Sequence, residues 1–398
     1  MTIGYDAKRA FSNATGLGSY ARTLINDLAP LPLEMRLYAP DYGICYLRRQ
    51  IVRSDNIRTR YPRRLPFGGL SKAYWRSHGI LGRLHSDGIQ LYHGLSGELP
   101  VGISKSGIRS VVTIHDLIFL RHPEYYHWLD TKIYAWKFRQ TVREADHIIA
   151  ISECTKRDIL HYAPSVDPSR ITVIYQSCAP RFTAPEPVEG EPVEGEPVEG
   201  EPVEGEPVAC AQPAENMGTV PVCAPRYLLS VGSIETRKNI LLAIRALPYL
   251  PSDLKLYIVG RPTPYLDTLF DYIREHRLED RVRFLHNVRD DELPALYAQA
   301  EAFVYPSRYE GFGIPIIEAI SSGLPVVACT GSCLEEAGGP DSLYVDPDDE
   351  QAFAQAVRQV LRGAEGREER IRRSRDYIRR FQGHDVAQQV YDLYQQLL

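Results

Sequence analysis

Two carboxylates stand eight positions apart in Glu310-Gly-Phe-Gly-Ile-Pro-Ile-Ile-Glu318, on either side of a Gly-x-Gly turn. The apolar run Ala302-Phe-Val-Tyr305 before them reads as a strand. Pro315 suits the first position of a helix, where its missing N–H costs nothing. Glu318 then falls near the end of the first helical turn. The free N–H groups and positive dipole end of such a helix favour an anion, commonly a phosphate. A carboxylate on each side of that point can accept hydrogen bonds from hydroxyls, and sugar hydroxyls beside a diphosphate describe a nucleotide-sugar. A second loop, Val231-Gly-Ser-Ile-Glu-Thr-Arg-Lys-Asn239, supplies the complementary charge. It sets Arg237 and Lys238 side by side before a helix, a bidentate fork and a point charge suited to a diphosphate. On spacing alone the plainer alternatives are a tight strand-to-helix connection and a solvated basic turn.

Both loops need strands to hold them, and the chain offers an alternation of strands and helices. Short apolar runs bounded by Gly, Pro or Asp recur at Thr2–Tyr5, Arg36–Tyr38, Gln90–Tyr92, Val111–Ile114, His147–Ala150 and Ile171–Ile174. The scheme resumes at Tyr227–Val231, Lys255–Val259, Arg283–Leu285, Ala302–Tyr305, Pro325–Ala328 and Leu343–Val345. Such alternation predicts two α/β domains, each a parallel sheet covered on both faces. Between them, over 183–225, lies a composition break: Glu186-Pro-Val-Glu-Gly190 repeats four times through Gly205 and begins again. Frequent Pro and Gly and repeated Glu predict a solvated, extended linker. Residues 186–206 hold nine Glu and no Lys or Arg, so the net charge of −5 becomes +4 without them.

At 398 residues, 44% hydrophobic and 24% charged, the chain is long enough for two cores. No apolar run approaches the roughly eighteen residues of a membrane span. The start, Met1-Thr-Ile-Gly-Tyr5, lacks the apolar stretch of a signal peptide. Seven irregularly spaced cysteines argue against a disulfide framework and for a reducing cytoplasm. Cys329-x3-Cys333 has no second pair to complete a zinc site. Asp346-Pro-Asp348 has the letters of a metal motif, but its place just before a helix predicts turn and cap chemistry.

The Glu310–Glu318 block resembles the E-x7-E signature of retaining GT-B glycosyltransferases of family 4, and the resemblance extends over nearly the whole chain outside the linker. It implies two Rossmann-like domains facing a cleft: an acceptor domain over 1–182 and a donor domain over 226–379. The final helix, over 380–398, is expected to pack back on the first domain. On this resemblance Lys238 is the diphosphate-binding lysine, and Ser233 stands where many relatives carry Arg, a contact Arg237 is expected to replace. Gly16 and Gly18 match the glycine loop that brings backbone N–H groups to the donor phosphate. His115, followed by Asp116, matches the position that faces the donor sugar, and Val288 the strand exit that wraps the base. Glu310, with Gly311, Phe312 and Gly313, is expected at the donor sugar and phosphate, and Glu318 at the ribose. The implied catalytic set is His115, Lys238 and Glu310. Neither a metal nor another cofactor is expected, because basic side chains and helix dipoles take the metal's place.

The implied reaction moves a hexose, with retention, from a nucleotide-sugar to a glycan or lipid-linked acceptor in surface polysaccharide synthesis. The Arg-Lys-Asn loop points to mannose and GDP-mannose. A nucleotide-sugar epimerase, a glycan phosphorylase or a non-catalytic nucleotide-sugar-binding subunit on the same architecture are the alternatives. Between Tyr46 and His85 there are ten Lys or Arg against one acid, Asp55, with Tyr61, Phe67, Tyr74 and Trp75 interleaved. This segment is expected to meet an anionic membrane surface or a lipid-diphosphate acceptor, making the protein cytoplasmic and peripheral. No nucleic-acid-binding module is present.

Overall fold

A computed structural model describes residues 1–62, 69–178, 182 and 225–398. The Glu-Pro-Val-Glu-Gly repeat, and with it the expected linker up to 224, lies outside the described residues, as do Arg63, Arg64 and Phe67.

Two parallel sheets organise the rest. The first contains β1 (Thr2–Asp6), β2 (Glu34–Tyr38), β3 (Ile57–Arg60), β4 (Leu91–Gly94), β5 (Arg109–Ile114), β6 (His147–Ala150) and β7 (Ile171–Val173), in the order β3-β2-β1-β4-β5-β6-β7. The second contains β8 (Tyr227–Val231), β9 (Lys255–Val259), β10 (Val282–Leu285), β11 (Ala302–Tyr305), β12 (Val326–Cys329) and β13 (Leu343–Val345), in the order β10-β9-β8-β11-β12-β13. Each is doubly wound, and the order reverses between β1 and β4 in one and between β8 and β11 in the other. Central strands such as β4, β6 and β12 are buried along their whole length, as continuous apolar runs require when helices cover both faces.

One strand has no counterpart among the sequence expectations. β3 reads Ile-Arg-Thr-Arg, and its lone apolar residue hides it, because an edge strand needs only one neighbour and tolerates charge.

The cores follow the sheets. Ile3, Tyr5, Leu24 and Leu37 pack on one face of the first sheet, and Val386, Val390, Leu393 and Tyr394 join them from the helix Gly383–Leu397. That helix lies against the helix Gly16–Leu28, and the Tyr394 hydroxyl is 2.6 Å from His93 Nδ1 at the end of β4. A small apolar cluster of Ile118, Cys154, Tyr309 and Cys333 joins residues of the two halves. Hydrogen bonds reinforce it: Glu336 accepts from the N–H groups of Glu153 (2.6 Å) and Cys154 (2.9 Å), at the start of the helix Glu153–Tyr162. The described cysteines, Cys45, Cys154, Cys178, Cys329 and Cys333, are all free thiols.

Candidate active site

In doubly wound sheets ligands bind beyond the carboxyl ends of the strands, where the order reverses. In the second sheet that crevice lies between the loops after β8 and β11, which carry Arg237, Lys238 and Glu310. Thr236–Lys238 forms one 3-10 turn, ended by Asn239 in the left-handed conformation at φ 53°. The Asn239 amide donates to Pro347 O (2.8 Å) and fixes this strained residue. The turn aims both basic side chains at one carboxylate. Lys238 Nζ is 2.6 Å from Glu310 Oε1, and Arg237 Nη1 is 2.8 Å from Glu310 Oε2. Lys238 also donates to the Tyr305 hydroxyl (2.7 Å), and Arg237 to Tyr309 O (3.0 Å).

All three charged groups are largely buried. Burial alone would raise the Glu310 carboxyl, but the charges of Lys238 and Arg237 outweigh it and bring it down to about 2. Burial works against the Lys238 ammonium too, and the neighbouring Glu310 reverses the shift and raises it. The cluster is therefore fully ionised at neutral pH, two cations sharing one anion. Cys333 supports the turn from below, donating its thiol to the carbonyls of Glu310 (3.1 Å) and Phe312 (2.8 Å).

Gly313 takes φ 134°, a region that favours glycine, and leads into the helix Ile314–Ser321. Pro315 stands one residue later than expected, second rather than first in that helix. Glu318, half-buried on it, accepts from the Tyr297 hydroxyl (3.0 Å). The ring of Phe312 is buried, stacked on Tyr175 and edge-on to Phe381, so its expected part at the donor falls to its backbone. Val288 packs partly buried against the same core, beside Asn287 at φ 60°.

The first half meets this cluster through Gly311. A Cβ on Gly311 would lie 2.2 Å from the His115 carbonyl oxygen, so only glycine permits the approach. Across the same seam Ser152 Oγ donates to Gly311 O (2.8 Å). His115 follows β5 with both ring nitrogens engaged: Nε2–H donates to Leu95 O (2.8 Å) and Nδ1 accepts from the Gln176 amide (2.9 Å). Burial lowers its pKa to about 4, so the ring is neutral. Asp116 does not touch the imidazole in this network; it accepts from Ile118 N (3.2 Å) and starts the helix Ile118–Arg121. Gln176 is the residue sequence reasoning missed, and a lone Gln after a strand carries no signal of its own.

The glycine loop opens the helix Gly16–Leu28, whose start has no side-chain cap. Gly18 is required by packing, since a Cβ there would lie 1.8 Å from Asn13 O; Gly16 faces open space. Arg22 ties the loop down through the carbonyls of Ala10 (3.0 Å) and Asn13 (2.8 Å). Leu17, His115 and Asp116 line a cavity of about 270 Å³ with Ser96–Glu98 and Tyr134. A second cavity of about 200 Å³ shares its Glu98 and Lys137 and extends to Arg76 and Trp136. Between them runs a chain of ion pairs, Asp6–Arg76 (2.8 Å), Arg76–Glu98 (2.8 Å) and Lys137–Glu98 (2.9 Å). The basic 46–85 segment is thus partly structural: Arg76 serves this chain, Arg60 and Arg83 pair with Asp87, and Lys72 pairs with Asp41.

At Asp346-Pro-Asp348, Asp346 accepts from Asp348 N (2.8 Å), Asp348 pairs with Arg308, and Asp349 caps the following helix. Among the described residues no group of three or more His, Cys, Asp or Glu is placed to hold a metal ion, and no helix is long and apolar enough to cross a membrane.

Two doubly wound domains with a buried cation pair at the switch point of the second give the GT-B architecture. The family comparisons agree: the model for glycosyl transferases group 1 matches residues 223–377, and that for glycosyltransferase family 4 matches residues 14–177. The chain belongs to the group 1, family 4 glycosyltransferases. It is similar to O-antigen chain mannosyltransferase B of Escherichia coli, 26% identical over 96% of each chain. An O-antigen chain mannosyltransferase of Salmonella typhimurium is 28% identical over 70% of this chain and 67% of that one. Among solved structures, sucrose-phosphate synthase from Thermosynechococcus elongatus superposes with TM-score 0.73 at 20% identity, covering 100% of this chain and 99% of that one. Anabaena HepE in complex with UDP-glucose gives TM-score 0.71 at 15% identity, covering 100% of both.

Proposed function

We propose that this glycosyltransferase transfers mannose from GDP-mannose, with retention, to a glycan or lipid-linked saccharide in surface polysaccharide assembly. The observation that carries the reading is the ionised Arg237–Lys238–Glu310 cluster at the switch point. Cleaving a sugar–diphosphate bond builds oxocarbenium character at the anomeric carbon and negative charge on the leaving phosphate. Lys238 and Arg237 are preorganised in a dry site to stabilise that charge, where such groups act most strongly. A diphosphate arriving at the two cations competes with Glu310 for them, and the released carboxylate can then accept hydroxyls of the donor sugar. Glu318 holds the ribose in this scheme, beside the start of the Ile314–Ser321 helix. His115, neutral and fixed by Leu95 and Gln176, orients the sugar from the first half. Mannose is supported by the two bacterial relatives, both O-antigen chain mannosyltransferases.

The test is thermal-shift binding and turnover against a panel that includes GDP-mannose and UDP-glucose, with Lys238→Ala alongside. Stabilisation by GDP-mannose alone, and a fall in transfer of about 10²–10³ in the variant, is expected. Wild-type turnover in Lys238→Ala would remove the phosphate role, and turnover of UDP-glucose alone would replace the donor.

A further inference from the structure

All three tryptophans of the chain, Trp75, Trp128 and Trp136, lie on two neighbouring helical segments, Gly69–Gly79 and Trp128–Glu144, that flank the 200 Å³ cavity. Trp128 and Trp136 are 62% and 61% exposed, a large departure for residues this apolar. They are not isolated. Leu129 and Ile133 are also exposed, at helical spacing with Trp136, so the outer stripe of the helix is apolar where a surface helix is ordinarily polar. Across residues 127–136 only Ala135 is buried, so this end of the helix projects from the body. Over the whole helix the exposed charges are mainly basic, Lys132, Arg139 and Arg143 against Asp130. Lys132 sits over the Trp128 ring at 4.8 Å, and Arg139 and Arg143 lie about two and three turns further along.

We infer that the projecting end of this helix inserts into the headgroup layer of an anionic phospholipid bilayer and sets the cavity mouth at the lipid surface. Tryptophan is favoured at that boundary, with one face apolar and an N–H for the wet side, and flanking Lys and Arg add attraction to anionic lipid. The position explains why such a face would be kept uncovered. Trp136 lines a cavity that shares Glu98 and Lys137 with the cavity lined by His115, so a saccharide on a membrane lipid would be presented beside the cleft. The inference deepens the acceptor side of the proposed function, and its assay needs neither donor nor acceptor, so either can fail alone.

The experiment uses the full chain and phosphatidylcholine vesicles with or without phosphatidylglycerol. Because Trp128 and Trp136 are exposed on this stripe and only Trp75 is partly buried in the core, intrinsic emission reads insertion chiefly through the first two. Anionic vesicles should shift it to the blue, brominated lipid should quench it, and the protein should float with the vesicles. Leu129→Ser/Ile133→Ser, with the three tryptophans intact and unchanged circular dichroism, should weaken binding on the order of tenfold or more. Lys132→Glu should weaken it about fivefold, with a smaller effect at high salt. Unchanged emission with anionic vesicles overturns the inference. So does a blue shift that follows protein concentration without lipid, which would mark the stripe as a contact between copies.

Discussion

The two sheets share a topology, yet their switch points are chemically unlike. The second presents three buried ionised groups bonded to one another, Arg237, Lys238 and Glu310. Next to the first, at the exit of β5, stands a neutral imidazole, His115, with a backbone carbonyl on one nitrogen and an amide on the other. One site holds mutually bonded charges, the other a dipole in a fixed orientation. The same strand order therefore supports opposite electrostatics, and the strand-exit loops decide which.

Removing charge from the second half should produce the largest effect. Glu310→Gln leaves Lys238 and Arg237 buried without their anion, and breaking such a pair costs about 3–5 kcal/mol. Denaturant unfolding should show most of that loss, with transfer falling as well; an unchanged midpoint would mean the cations relax to solvent. The spacing of Glu310 and Lys238 in the sequence does not reveal that they bond each other.

Acid sharpens the contrast between the halves. His115 and His93 are held down to about 4 and about 3 by burial, from an ordinary 6.5. The unfolded chain protonates them first, so their stabilising contribution is complete above pH 6.5 and lost as pH falls toward those values. Glu310, lowered to about 2 from 4.5, gives stability that persists until pH falls below about 4.5. Between pH 6.5 and 4.5 the loss should come from the first half, at up to about 1.4 kcal/mol per pH unit for each histidine. His115→Gln should flatten that part of the melting profile; a profile as steep as wild type would assign the loss to His93 or elsewhere.

At the seam itself, Gly311→Ala puts a Cβ against the His115 carbonyl and should cost about 1–3 kcal/mol, as overpacking does. Transfer should drop with it, since the two sites would separate. If Gly311→Ala transfers at the wild-type rate, closure at this point is not part of catalysis. The smallest effect belongs to Glu336→Ala, which frees two N–H groups at the start of the Ser152-capped Glu153–Tyr162 helix and should cost about 1 kcal/mol. Its melting temperature should fall slightly, and no change would show that water replaces the carboxylate.

Much of this was legible in the residues. Twelve of the thirteen strands among the described residues announce themselves as apolar runs closed by turn residues, and Lys238 and Glu310 stand out through the loops around them. What could not be read is directional. A buried Phe312 and a ligand-facing one have the same letters, and only packing against Tyr175 and Phe381 separates them. The helix Trp128–Glu144 carries apolar residues at helical spacing, which predicts a covered face; nothing in the pattern says that the covering is missing. The ten basic residues of 46–85 look like a free patch, yet Arg60, Lys72, Arg76 and Arg83 pair with Asp6, Asp41, Asp87 and Glu98.

The bond between His93 and Tyr394 joins residues 301 positions apart. During synthesis the first sheet is spelled out early, yet one face of its core lacks Val386, Val390, Leu393 and Tyr394 until the ribosome has passed the whole of the second. For that interval the earliest-made half carries an open apolar groove and waits for the chain to return.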